Sequence, residues 1–184
     1  MDHRGGLASI EKSIRVDAFI VNDIDFYHRG QSCHRYPDWV WDGVRFHFIA
    51  LLDESLGRKN NTSCVLKVST DGASMLLPGD IEKQAETYLV NNKSEELSAT
   101  VLLVPHHGSK TSSSFRFVQD VLPRYAIISS GFDNRYHFPH QETLNTLANQ
   151  GVAVFNTMQC GLVQLTLSRE GKMLKPVCYN TKNK

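Results

Sequence analysis

Apolar residues along this chain fall into short blocks whose spacing separates strands from helices. Val101-Leu102-Leu103-Val104 runs four apolar residues together and is closed by Pro105, the pattern of a strand buried on both faces. Residues 125–129 read the same way. Val44, Phe46 and Phe48 alternate with polar neighbours, which predicts a half-exposed strand over 43–50. Residues 63–68 and 74–77 form two strand patterns around Asp71-Gly72, a hairpin turn signal. Residues 16–21 predict an early strand, and 152–155, 162–167 and 173–179 predict closing ones. Helical spacing places Ile81, Ala85, Tyr88 and Leu89 on one face, and Phe117, Val118, Val121 and Leu122 on another. A third helix is predicted over 141–150, with Gly151 after its end, and a short one over 7–12. Residues 22–42, 53–62 and 130–140 read as loops, and 180–184 as a frayed tail. Hairpins beside strand–loop–helix units predict an α/β chain with two mixed sheets and outer helices, rather than one doubly wound sheet. With no internal repeat or linker, the prediction is a single domain over residues 1–179.

Composition narrows this picture little. The 184 residues are 41% hydrophobic and 21% charged, with a net charge of +1, ordinary values for a globular domain. No apolar run approaches the roughly 20 residues that cross a bilayer, and the first residues lack a signal-peptide pattern. Cys33, Cys64, Cys160 and Cys178 are irregularly spaced and form no C-x-x-C, so they are expected to be buried or incidental free thiols.

The chemistry gathers at strand tips. One apolar strand ends on Pro78-Gly79-Asp80. The 101–104 strand ends on Pro105-His106-His107-Gly108-Ser109-Lys110. The strand at 125–129 leads to Asn134-Arg135-Tyr136-His137-Phe138-Pro139-His140, and Asp2-His3 stands at the chain start. Carboxylates and imidazoles together suit Zn²⁺ or Mn²⁺, and two such ions in one cleft activate water and stabilise in-line displacement at phosphorus. Each residue also has a structural reading. Asp80 is well placed to cap a helix starting at Ile81, His140 to enter a helix, and Lys110 and Arg116 to be solvated. His28, His34 and His47 lack supporting neighbours and are expected to be structural or solvent-facing. Adjacent imidazoles after a buried strand resist such a reading most.

Taken in order, Asp2-His3-Arg4-Gly5-Gly6, Asn60-Asn61-Thr62-Ser63, Leu76 through Asp80-Ile81-Glu82, Val104 through Ser109, and Asn134-Arg135-Tyr136 through Pro139-His140 resemble a known domain. It is the metallo-β-lactamase-like C-terminal domain of the ComEC family of DNA-internalisation competence proteins. The resemblance runs from Asp2 to about Leu167 and implies an αββα sandwich with its metal site at the edge between two mixed sheets. It implies one or two divalent metals, Zn or Mn, with Asp2, His3, Asp80 and an imidazole of the adjacent pair, His106 ahead of His107, as ligands. Asp80, His107 and His140 are the implied catalytic residues, His140 serving as a ligand or a proton donor. Ser109, Lys110 and Asn134 are the candidate substrate contacts. Where that family's last segment has a first His, this chain has Phe138. The implied activity is hydrolysis of DNA phosphodiesters, single-stranded DNA in particular. The implied partner is a polytopic membrane channel in the same polypeptide, with this domain outside the cytoplasmic membrane.

The superfamily's H-x-H-x-D-H signature places its earlier ligands two and four residues before Asp2. The chain therefore reads as N-terminally partial, without the fold's first strands and with a weakened metal site. Two other functions follow from that departure: a non-catalytic module that binds DNA or a partner protein, and a metallo-hydrolase of the same fold acting on small esters or lactones.

Overall fold

The computed structural model describes residues 5–57, 59–168 and 175–179. In chain order the elements are α1 (Leu7–Ser13), β1 (Ile20–Val21), α2 (Ile24–Tyr27), β2 (Gln31–Ser32), β3 (Trp39–Trp41), β4 (Val44–Ile49), β5 (Val65–Ser69) and β6 (Ser74–Leu77). They continue with α3 (Lys83–Leu97), β7 (Val101–Leu103), α4 (Phe115–Val121), β8 (Tyr125–Ile128), α5 (Gln141–Asn149), β9 (Ala153–Asn156), α6 (Thr157–Cys160), β10 (Leu162–Gln164) and β11 (Val177–Tyr179).

One mixed sheet of seven strands, in the order β3 to β9, carries the fold. Strands β3 to β6 pair antiparallel through hairpins, and β6 to β9 pair parallel through helical crossovers. The expected α/β class with mixed pairing and outer helices is borne out. Strands β1 and β2 form a small parallel pair, and β10 and β11 a small antiparallel one.

Period-two alternation decides which face each side chain joins. Leu76, Leu102 and Ala126 lie in register across β6, β7 and β8, and all three are fully buried under the helices. Ala85 and Leu89 of α3, Phe117 and Val118 of α4, and Leu147 of α5 complete that core. The neighbouring positions Met75, Val101 and Tyr125 point to the opposite face. There Val101, Tyr125 and Ile127 form a second cluster with Phe155, Val163 and Leu165.

Several expectations are corrected. The four cysteines are not free thiols: Cys33 pairs with Cys64 and Cys160 with Cys178. Their separations of 31 and 18 residues hide the pairing. It arises because the turn at Cys33–Arg35 lies beside the start of β5, and because β10 and β11 bring the chain back on itself. Asp80 caps no helix, since α3 starts at Lys83 with Glu82 in the capping position. The strand expected over 16–21 contracts to Ile20–Val21, and the one over 162–167 to Leu162–Gln164. Of 173–179, only Val177–Tyr179 is strand among the described residues. Asp2, His3 and the tail 180–184 lie outside the described residues.

Candidate metal centre

Because β6, β7 and β8 are parallel, the segments that follow them leave from one edge of the sheet. Ligand sites in open α/β sheets form at the carboxyl ends of the strands. Asp80 follows β6, His106 and His107 follow β7, and residues 129–140 follow β8, so the topology delivers all three sequence motifs to one place.

The loops interlock through their backbones. His106 N–H donates to the Gly79 carbonyl at 3.1 Å, and His140 N–H donates to the Gly108 carbonyl at 2.9 Å. Gly108 has φ +84°, and a Cβ there would lie 2.6 Å from Pro139 Cβ, so only glycine fits between these loops. His106 and His107 themselves take left-handed conformations with φ 50° and 56°. Two successive non-glycine residues in that region cost free energy that the surrounding structure must offset, a pattern concentrated at functional sites.

The adjacent histidines face different partners. His107 donates Nδ1–H to the Ser129 carbonyl at 2.8 Å, because a carbonyl oxygen only accepts. In the neutral ring Nε2 then holds the lone pair, and it lies 3.7 Å from Asp80 Oδ1. A backbone carbonyl holding one ring N–H while the other nitrogen keeps its lone pair is the usual arrangement of a metal-ligating histidine. His106 instead turns Nδ1 to Thr111 Oγ1 at 3.2 Å and Glu82 Oε1 at 3.5 Å. Thr111 also donates its hydroxyl to that Glu82 oxygen at 3.1 Å.

His140 Nδ1 accepts the Lys110 backbone N–H at 3.1 Å. Its neutral ring must therefore carry the proton on Nε2. Phe138 stands among the three imidazoles, with ring centroids 5.8 Å from His106, 6.2 Å from His107 and 5.2 Å from His140. The position that has a first His in the resembled family thus holds an apolar wall.

Of the expected substrate contacts, Lys110 is exposed, while Ser109 is buried and bonds Thr111. Asn134 uses its amide on its own loop, donating to the Gly131 and Phe138 carbonyls and accepting from Phe138 N–H. Asp80, His106 and His107 line a cleft of about 440 Å³, whose apolar wall includes Phe48, Leu66, Leu77 and Leu103. Among the described residues, no group of three or more His, Cys, Asp or Glu is placed to hold one ion. The chemistry of Asp80 and His107 fits a divalent ion such as Zn²⁺ or Mn²⁺, one carboxylate oxygen and one imidazole nitrogen.

Sequence reasoning missed the supports. Ser63 Oγ accepts Asp80 N–H at 3.3 Å, and Asn61 Oδ1 accepts Glu82 N–H at 2.9 Å. The Asn-Asn-Thr-Ser motif therefore braces the loop that carries Asp80. Glu86 is fully buried on the core face of α3, where its carboxylate accepts Ser113 N–H at 2.5 Å and Ser114 N–H at 2.8 Å. Burial raises its pKa, against the lowering effect of those hydrogen bonds. The one signal for Glu86 is its place beside Ala85 on an otherwise apolar helical face.

The family model of the metallo-β-lactamase superfamily matches residues 1–147. The chain belongs to this superfamily. Competence protein ComA of Neisseria gonorrhoeae is 35% identical over 170 residues, covering 92% of this chain and 24% of that protein. ComE operon protein 3 of Bacillus subtilis is 41% identical over 121 residues, covering 66% of this chain and 16% of that protein. The chain thus spans a quarter or less of these competence relatives. A Parabacteroides distasonis crystal structure titled "Putative metal-dependent hydrolase" superposes with a TM-score of 0.53. It covers 82% of this chain and 69% of the other at 11% identity, a likeness of fold alone.

Proposed function

We propose that this chain is a metal-dependent phosphodiesterase domain acting on single-stranded DNA. The observation that carries the reading is the 3.7 Å approach of His107 Nε2 to Asp80 Oδ1, with His107 Nδ1 held by Ser129. Asp80 and His107 are assigned as metal ligands, which exchanges the roles of the adjacent histidines relative to the sequence expectation. A divalent ion there would supply charge neutralisation at the phosphate and lower the pKa of an attacking water. His106 is assigned to positioning, through Thr111 and Glu82. His140 is assigned to hydrogen-bond donation toward the leaving oxygen, because its Nδ1 is taken by Lys110 and its Nε2 carries hydrogen. Asp2 and His3 remain assigned as further ligands, by resemblance. Lys110 is assigned to phosphate contact, whereas Ser109 and Asn134 shape the loops.

The competence relatives support DNA as the substrate class, and the resemblance implies a membrane channel in the same polypeptide as the companion. Among the described residues, no helix is long and apolar enough to cross a membrane. All four cysteines are paired, which suits folding in an oxidising compartment, and the domain is assigned to the outer side of the cytoplasmic membrane.

The test is cleavage of single-stranded DNA by the full chain with Mn²⁺ or Zn²⁺, against an Asp80→Ala variant and a chelator control. Metal-dependent cleavage abolished in the variant is the expected result. Cleavage equal in the variant would overturn the site. DNA binding without cleavage would favour the non-catalytic module, and hydrolysis of aryl esters alone the small-ester reading.

A further inference from the structure

A second recess of about 370 Å³ adjoins the Asp80–His107 cleft and shares His107 and Ser129 with it. Its walls also include Asn134, Tyr136 and Phe138. Three rings line up along it in nearly parallel planes. Tyr136 and Phe138 stack at 5.4 Å and 21°, and Phe138 and His107 at 6.2 Å and 22°. Tyr136 is 51% exposed, and the Arg135 guanidinium lies 4.7 Å from its ring centroid. The loop that presents these rings is closed by the three hydrogen bonds of Asn134. The exposed ring is therefore held by a braced loop.

From these observations we propose that this recess is a nucleobase subsite, in which an unpaired base of the nucleotide next to the scissile phosphodiester stacks on Tyr136 in place of the Arg135 guanidinium, with Phe138 and His107 backing the ring. A base offers a flat π-face to the rings and a polar edge to the opposite wall of serine and backbone groups. Aromatic platforms bind single strands in this manner with little sequence preference, because every base has such a face. The Arg135 guanidinium lies over the Tyr136 ring and donates to the Tyr136 hydroxyl, so a flat cationic group already occupies the face that a base would take. The junction at His107 places the next phosphate at the cleft. A paired base cannot enter without leaving its stack, so the subsite selects single-stranded substrate. The inference rests on the phosphodiester reading and deepens it by naming what lies beside the reacting group.

The test separates the two readings by measuring binding without metal. Fluorescence anisotropy compares the full chain's affinity, in a chelator, for a short labelled oligothymidylate and for an abasic oligomer of the same length and charge. The native chain should bind the oligothymidylate about five- to tenfold more tightly. Tyr136→Ala should lose that preference, and Tyr136→Phe should keep it. Equal affinity of the native chain for the two oligomers, or a preference that survives Tyr136→Ala, overturns the subsite. A preference retained in a chain that never cleaves DNA supports the subsite and removes the catalytic reading instead. Loss of the preference in Tyr136→Phe would overturn stacking as its cause and assign it to the tyrosine hydroxyl.

Discussion

Lys110 donates its backbone N–H to His140 Nδ1 at 3.1 Å, and this bond decides which His140 nitrogen carries the proton. A ring so held offers N–H on its other side, which suits a donor and not a ligand. His140→Ala should lower kcat about 10²–10³-fold and leave Mn²⁺ affinity, measured by calorimetry, where it was. A parallel loss of metal affinity would identify His140 as a ligand.

The two adjacent histidines should separate in the same calorimeter. His107→Ala and Asp80→Asn should each weaken Mn²⁺ binding by at least about tenfold, the scale on which even a ligand's supporting partner matters. His106→Ala should weaken it less, since its Nδ1 faces Thr111 and Glu82. The reverse ranking would restore His106 as the ligand.

Gly108 brings the histidine loop close against Pro139 of the loop after β8. Gly108→Ala sets a Cβ against Pro139 and strains a φ of +84°. Urea unfolding should show a loss of about 1–3 kcal/mol. Stability equal to that of the native chain would mean that the loops stand farther apart.

The Cys33–Cys64 bond ties the turn after β2 to a wall of the cleft. The Cys33→Ser/Cys64→Ser double variant should lose about 2–4 kcal/mol of stability. The denatured, unreduced native chain should show no thiol to Ellman's reagent, and detection of reactive thiols would refute the pairing.

His47 links the start of β3 to the end of α3. Its Nδ1 lies 2.6 Å from Asp38 Oδ1, and its Nε2 lies 2.8 Å from Glu96 Oε2. Burial lowers its pKa, but the two carboxylates outweigh burial and raise it above the ordinary histidine value of 6.5. A raised folded-state pKa contributes stability that is fully present below the unfolded value and fades as pH climbs through the folded one. Thermal unfolding should therefore show stability falling as pH rises above about 6.5, the unperturbed value, and His47→Gln should flatten that slope. An unchanged slope would exclude the cluster as its source.

Much of the fold was legible because burial writes itself into spacing. The run at 101–104, the Asp71-Gly72 turn and the faces of α3, α4 and α5 all state which side meets the core. Short edge elements were less legible. The strand expected over 16–21 pairs through only two residues, since pairing there depends on where β2 lies. His47 was expected to be structural or solvent-facing, and its ring does sit half-exposed in a charged cluster. The partners that hold it are 9 and 49 residues away, beyond any local pattern. Asp80 looked like a helix cap until the helix began three residues later. Glu86 drew no reading from the sequence, because the two N–H groups that its buried carboxylate accepts come from Ser113 and Ser114.

The sequence by itself determined the α/β class, the strand tips that carry chemistry and the residue types offered there, because apolar periodicity and turn chemistry are local properties. Only the tertiary structure decided which histidine meets Asp80, which nitrogens hold protons and which cysteines pair. Those outcomes depend on parallel strands bringing distant loops to one edge, and on single hydrogen bonds, from His107 to Ser129 and from Lys110 to His140, that no spacing along the chain encodes.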